Sequence, residues 1–372
     1  MRLNLTKKQY QTLNTIEISQ SALVQNFKYL SGISNLKVAP VLKSNAYGHG
    51  LQLVAKVLDN EDVPFFCVDS LFEAYELLKI NIKTPIHIMG YTDPENVKVK
   101  KLPFSFTVFD KEMLMTLNKY QPGSKIHIFI DTGLHREGIQ VDDLPEFLEY
   151  IKSLKNISIE GLMSHFAMSD QFADPLTVDQ VNNFQKAQLL VQQAGIQPKW
   201  IHIANSAGLL LSKKYDGMLG NIARVGIATY GIGGELEDIH LKPALRALTK
   251  IGQIKHIKKG EKIGYDFTYT AKKDMVIGVL PYGYYDGMDR RLSNSGFVTV
   301  DGILCPIIGR VSMNITTIDV SKVRQPQVGQ TVIVYSNNAS DKNSIQHAGK
   351  LSGTIQRDLL VHLSESTKRI LV

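Results

Sequence analysis

The sequence predicts an α/β plus all-β chain, an N-terminal (β/α)8 barrel of TIM type followed by a C-terminal β-strand domain. Two observations predict it. Across roughly the first 230 residues, eight short apolar, β-branched runs alternate with stretches of helical period, the pattern of a parallel sheet covered by helices. Beyond Gly231-Ile232-Gly233-Gly234 the runs follow one another with turn formers between them and no helices. Eight β/α units in that length suit a closed barrel better than an open doubly wound sheet, the alternative that a strand count leaves open.

The elements follow in order. An extended segment at 14–18 leads into a helix capped by Ser19 or Ser21, with Leu23, Phe27 and Leu30 on its apolar face. The eight barrel strands are expected at 38–42, 64–69, 85–89, 104–109, 125–131, 157–165, 200–204 and 222–230, with helical period at 51–58, 71–79, 144–152 and 181–193. Strands of the second domain are expected at 245–257, 275–280, 296–300, 303–308, 315–320 and 331–335, with a short helix near 344–350. The domains are accordingly 13–238 for the barrel, and 1–12 with 239–372 for the β-domain.

The chain has 372 residues, 44% hydrophobic and 21% charged, as in a folded globular protein. No apolar run reaches the ~18 residues of a membrane span, and residues 1–12 lack the apolar stretch of a secretory signal. Cys67 and Cys305 stand far apart in no CxxC spacing, which argues against a disulfide framework and a thiolate metal site and makes a reducing cytoplasm the default. The net charge of +7 is uneven: residues 1–240 carry 23 basic and 25 acidic side chains, residues 241–372 carry 19 and 10. A basic surface without interleaved aromatics or a reading module is no nucleic-acid site.

Active sites of such barrels form at the C-terminal ends of the strands. There the first strand runs into Lys43-Ser44-Asn45-Ala46-Tyr47-Gly48-His49-Gly50. Its Asn and Gly residues permit a tight turn around a ligand, and a lysine between apolar walls at a barrel mouth is suited to attack an aldehyde. Taken alone, a lysine at a strand end is equally a charge reaching solvent.

The string Leu42-Lys43-Ser44-Asn45-Ala46-Tyr47-Gly48-His49-Gly50 resembles the signature of the alanine racemase family, pyridoxal-phosphate enzymes with a barrel followed by a β-domain. The resemblance implies that Lys43 forms the internal aldimine with pyridoxal 5'-phosphate and that Tyr47 contacts the phosphate. It continues through Asp131-Thr132-Gly133-Leu134-His135-Arg136-Glu137-Gly138, which implies that Arg136 meets the substrate carboxylate. Ser164-His165-Phe166-Ala167 and Ala204-Asn205-Ser206-Ala207 bring His165 into the site and Asn205 and Ser206 toward the cofactor, with Ser206 on the phosphate. Arg224-Val225-Gly226-Ile227 implies a guanidinium facing the pyridine nitrogen and the amides of Gly226 and Ile227 on the phosphate. In the β-domain, Gly264-Tyr265 resembles the segment of the second catalytic base. Tyr284 in 281–287 would stand at the entrance and Met313 in 309–313 near the substrate carboxylate.

Racemisation removes a Cα proton and returns one to the opposite face, so the simplest site has two bases, here Lys43 and Tyr265. A phenol with an ordinary pKa of about 10 needs a partner that favours its phenolate, and His165 backed by Arg224 is that partner by resemblance. The family's second base comes from a second subunit, which implies a homodimer with shared sites. The resemblance further implies D-alanine supply for peptidoglycan. A broader-specificity or serine racemase and a non-catalytic pyridoxal-phosphate-binding protein are the alternative readings.

Three positions depart from the family. Phe129 stands where a lysine, often carbamylated, positions the substrate arginine; Asn314 replaces an Asp after Met313; and Arg357 replaces a phosphate-binding tyrosine. Arg357 could clamp the phosphate, face the substrate side chain, or lie at the surface.

Overall fold

The computed structural model describes residues 11–168, 174–212, 215, 217–233 and 240–372. The chain forms two compact units: Leu23–Ala46 with Val54–Leu241, and Met1–Ala22 with Tyr47–Leu53 and Lys242–Val372. The expected domain ends at 1–10 and 234–239 lie outside the described residues.

The larger unit is a barrel of eight strands: β1 (Lys37–Pro40), β2 (Phe66–Val68), β3 (Ile86–Ile88), β4 (Phe104–Val108), β5 (Ser124–Asp131), β6 (Ile157–Met163), β7 (Trp200–His202) and β8 (Ile222–Val225). Strands β2 to β7 pair in order, all parallel. β8 pairs parallel with β1, from Ile222 opposite Lys37 to Val225 opposite Pro40. The remaining seams are closed by the Val41–Cys67 bridge between β1 and β2 and by Arg224 N–H donating to Ala204 O at 2.9 Å between β7 and β8. β2, β3 and β4 are buried along their whole length because helices cover one face and the barrel interior the other. That interior is unusually polar. Phe65 sits edge-on to His87, His127 and Trp200, with His202 tilted beside it.

The smaller unit is built on a six-stranded sheet and a three-stranded sheet. Thr15–Ile18, expected at the head of the barrel, belongs here. It runs antiparallel to Leu245–Lys250 and parallel to Lys368–Leu371, burying alternate residues in that sheet. The run expected as one strand over 245–257 is two, Leu245–Lys250 and Gln253–Ile257, in different sheets and broken at Ile251-Gly252. The eighth barrel strand stops at Val225, and a 3-10 turn, Ile227–Tyr230, replaces the rest of its expected length. Near the C-terminus the expected helix is Ile345–Ser352, and a second, Gln356–Val361, follows it.

The segment after β1 is a single turn of left-handed helix. Ser44, Asn45 and Ala46 have φ of 56°, 55° and 54° with ψ near 50°, and Tyr47 follows at φ 50°. Such a turn costs L-residues roughly 1–2 kcal/mol each, so it persists only where its surroundings hold it. Ala46 N–H bonds Leu42 O at 2.8 Å, and the half-buried Glu73 carboxylate accepts from Asn45 N–H at 3.3 Å and Asp69 N–H at 2.9 Å. Just downstream, Gly48 at φ 78° leaves room for Leu360 O, which a Cβ would meet at 2.0 Å. Arg369 fastens the same loop, donating to Gly48 O at 2.7 Å.

Candidate active site

In the barrel unit the chemistry-bearing residues stand at the C-terminal strand ends. Lys43 follows β1, with Nζ 3.7 Å from Asp69 Oδ1 and its side chain partly exposed. The amine thus faces a carboxylate on the turn after β2. Cys67 beneath it is fully buried, and burial pushes its thiol up to about 12, which makes it inert.

Arg224 on β8 is buried and makes four hydrogen bonds, all as donor. Nη1 meets His202 Nδ1 and, at 3.1 Å, His202 O; Nη2 meets Ser164 O at 2.5 Å and His165 Nδ1 at 3.0 Å. Burial pulls Arg224 down to about 10, still a cation at neutral pH. Burial, and then the charges of Arg224, Arg136 and Lys43, push His165 down to about 3, so its ring is neutral. A guanidinium only donates, so Nδ1 of His165 is an acceptor and its proton sits on Nε2.

Gln180 orients the His165 loop. Its side chain donates to His165 O at 3.1 Å and accepts from Ala167 N–H at 2.9 Å. It is buried on the helix Pro175–Gln193, one residue before the span 181–193 whose period was legible, and nothing local singled it out.

After β7, Asn205 caps the helix Ser206–Leu211 by accepting from Gly208 N–H at 2.9 Å. Ser206 Oγ accepts from Gly226 N–H at 3.2 Å, joining the ends of β7 and β8, and Ile227 begins the following 3-10 turn. Beyond β5, Asp131 organises the turn by accepting from the N–H groups of Gly133 and His135, both at 3.0 Å. Arg136 projects from this turn and pairs with the adjacent Glu137, with Nη2 2.7 Å from Oε1. Phe129 is buried against Gly138, whose Cβ would lie 2.7 Å from the ring, and it supplies no charge.

The smaller unit gathers its own set. Gly264 lies against Gly309 and Arg310, which places Tyr265 on that side, 69% exposed. Tyr284 N–H bonds Ser312 O at 3.0 Å and Tyr285 N–H bonds Met313 O at 2.9 Å. Gly283 permits the approach, since a Cβ there would meet Ser312 O at 2.3 Å. Tyr265, Tyr284 and Met313 therefore line up along 309–313, together with exposed Phe267 and Ile315. Tyr47 also falls in this unit, and Arg357 is exposed on the short helix Gln356–Val361. Among the described residues no His, Cys, Asp and Glu cluster could hold a metal.

Four imidazoles are expected to make the fold acid-labile. His87, His127, His165 and His202 are all held below the ordinary 6.5, chiefly by burial. Below pH 6.5 the unfolded chain binds protons that the folded chain refuses. Their contribution is complete above that pH and is lost as pH falls toward the folded values, about 3 for His165. Urea midpoints are expected to drop steadily between pH 7 and pH 5; a flat profile would mean that these rings are not held neutral.

An amine, a donor-only guanidinium, a neutral imidazole and a hydroxyl joined to a backbone amide stand at the strand ends of one parallel barrel, the place where barrel enzymes carry their active sites. Residues 18–233 match the family described as "Alanine racemase, N-terminal domain" and residues 244–371 "Alanine racemase, C-terminal domain". Alanine racemase 2 of Caldanaerobacter subterraneus subsp. tengcongensis is 33% identical over 368 residues, 96% of this chain and 94% of that protein. Alanine racemase of Borreliella burgdorferi strain B31 is 32% identical over 369 residues, 95% of this chain and 96% of that protein. Among solved structures, alanine racemase from Bacillus anthracis with bound L-Ala-P superposes with a TM-score of 0.89 at 30% identity, covering 98% of this chain and 96% of that one. The chain belongs to the alanine racemase family, and it is an isomerase.

Proposed function

We propose that this chain interconverts L- and D-alanine with pyridoxal 5'-phosphate, using Lys43 and Tyr265 as the two bases. The observation that carries the reading is the pairing, within one barrel, of Lys43 at the end of β1 with the buried Arg224–His165 contact between β8 and β6.

The donors of the barrel unit fit the cofactor. Ser206 Oγ with the amide of Ile227, and that of Gly226 on exchanging its bond to Ser206, would hold the phosphate, Lys43 Nζ the aldehyde carbon and Arg224 the ring nitrogen, with Asn205 as a further contact. When bound, the cofactor draws off the electron pair left as the Cα–H bond breaks. Arg224 has no acceptor and keeps its proton, so it leaves a ring nitrogen unprotonated. Lys43 Nζ takes or returns the proton on one face of Cα, and the Tyr265 oxygen does so on the other. His165, with Nδ1 occupied by Arg224, presents an Nε2–H that favours a phenolate. Arg136, held by Glu137, would bind the substrate carboxylate, with Met313 beside it and Tyr284 at the entrance.

In this reading Tyr265 serves the barrel of a second copy of the chain, so the enzyme is a homodimer. Support comes from the exposure of Tyr265 and its apolar neighbours Phe267, Met313 and Ile315 on the smaller unit. No described helix is long and apolar enough to cross a membrane, and both cysteines are free and buried. The family resemblance, not either of these observations, supports a cytoplasmic enzyme supplying D-alanine for peptidoglycan.

The test is incubation of the cofactor-loaded protein in deuterated water with each enantiomer of alanine, and with L-serine, L-lysine and L-glutamate. Deuterium at Cα with inversion of alanine is expected. Bound cofactor with no exchange would replace the racemase reading by a binding protein, and inversion of serine at a similar rate would replace alanine specificity by a broader range.

A further inference from the structure

The barrel interior contains a line of polar contacts that starts at Arg224 and leaves the site already described. Arg224 Nη1 donates to His202 Nδ1. His202 Nε2 lies 2.8 Å from His127 Nδ1. His127 Nε2 makes no hydrogen bond and faces Glu160 Oε2 at 3.7 Å, a distance of electrostatic rather than hydrogen-bonded contact. Both rings are completely buried, while Glu160 is 16% exposed and reaches Lys125 Nζ at 2.8 Å.

The direction of every proton in this line follows from its ends. A guanidinium has no acceptor, so Nδ1 of His202 carries no hydrogen. His202 is neutral, pushed well below 6.5 by burial and then by the charge of Arg224, so its one proton sits on Nε2 and is donated to His127. His127 Nδ1 is therefore an acceptor. Burial holds this ring neutral as well, so its proton lies on Nε2, toward the carboxylate. The ion pair with Lys125 at 2.8 Å keeps Glu160 below the ordinary carboxylate range, hence anionic. All donors thus point from the buried cation toward the buried end of an anion.

The line is built into the strands. Gly161, opposite His127 on β6, has no side chain where that ring lies; a Cβ there would fall 2.3 Å from His127 Nδ1. His87 stacks on the other side, with ring centroids 4.0 Å apart, and is itself held by Ser105 at 3.0 Å and Thr107 at 3.1 Å. The ring of His127 has a fixed plane, so its tautomer is the remaining freedom.

We propose that Glu160 is a positioning residue for Arg224, acting through His127 and His202 by fixing the tautomer of both rings. Arg224 biases the His202 end of the line and Glu160 the His127 end; with the carboxylate absent, only the His202 bond opposes a His127 proton on Nδ1, where it meets the proton of His202 Nε2. Relieving that clash moves the His202 proton to Nδ1, against the Arg224 N–H. The guanidinium then loses one of its two imidazole acceptors and its fixed plane. The role in catalysis rests on the reading of Arg224 given above; the tautomers themselves do not.

The test is long-range proton–nitrogen NMR of histidine-labelled, cofactor-loaded protein, which distinguishes the two imidazole tautomers directly. In the unaltered protein both His127 and His202 are expected to carry their proton on Nε2. In Glu160→Ala, His127 is expected to populate both tautomers, kcat for alanine to fall about five- to tenfold with KM little changed, and Glu160→Asp to restore a single tautomer. A proton on Nδ1 of either ring in the unaltered protein overturns the proposal, as does Glu160→Ala with both tautomers and kcat unchanged. If Glu160→Ala fails to fold, Glu160→Gln, which keeps the shape and removes the charge, is measured in its place, and a single tautomer with unchanged kcat there overturns the proposal. An inactive enzyme with the expected tautomers would remove the racemase reading and leave the relay standing.

Discussion

Lys43→Ala is expected to lower the rate of alanine inversion by at least about 1000-fold, because it removes both the nitrogen that would fasten the cofactor and the base on one face of Cα. Stability should hardly change. Among the described residues the ion pair lost is the 3.7 Å contact with Asp69, between partly exposed side chains, and such pairs contribute about 0–1 kcal/mol. The left-handed turn is held from outside the lysine side chain, by Glu73 and Leu42, and should survive. The check is the inversion rate alongside the melting temperature, with borohydride reduction and peptide mapping to locate the cofactor's attachment. A variant that keeps more than a tenth of the activity would show that Lys43 is not the base.

Mixing two inactive variants should restore activity. Lys43→Ala lacks one base and Tyr265→Ala the other. If Tyr265 serves a second copy, a hybrid dimer contains one site with both bases and one with neither. At equal amounts and full exchange, half of the dimers are hybrids, so about a quarter of the wild-type activity should return. The measurement is the inversion rate after subunit exchange, verified by mass-tagged copies. Confirmed exchange with no activity would mean that each site is completed within one chain.

Much of the architecture was legible because local pattern and tertiary role agreed. The helices Leu51–Leu58 and Leu144–Lys152 and the strand Thr331–Tyr335 fall where their periodicity put them. The strand Thr15–Ile18 was legible as extended chain, but its partners lie more than two hundred residues away, and nothing local assigns a four-residue strand to one sheet rather than another. The break at Ile251-Gly252 was missed because apolar residues continue across it while the chain changes sheets.

The site divides in the same way. Glu73 carried a weak signal, standing three residues after the helix cap Ser70 as in a capping box, yet it bonds Asp69 N–H and, across the barrel mouth, Asn45 N–H. Glu137 was quoted in its motif without a role, and its pairing with Arg136 emerges only from the turn that Asp131 shapes. Gln180, His127 and Glu160 carried no signal, since a lone polar residue in an apolar run reads as a satisfied core group.

By itself the sequence determined the alternation of strands and helices and the change to an all-β second part. It also determined that Lys43, Arg136, His165, Ser206 and Arg224 stand at or just beyond strand ends, because an apolar run and the polar residue that ends it are adjacent in the chain. Only the tertiary structure decided which groups these residues meet. His127 and His202 are 75 residues apart and share a hydrogen bond, and Arg224 takes its acceptors from β6 and β7. Closure of the barrel sets those distances, and the left-handed turn after β1 is held in part by a carboxylate on another element, which accepts from Asn45 N–H. The residue types specify what can donate and accept; the closed barrel specifies which donor finds which acceptor, and that choice fixes where each proton lies.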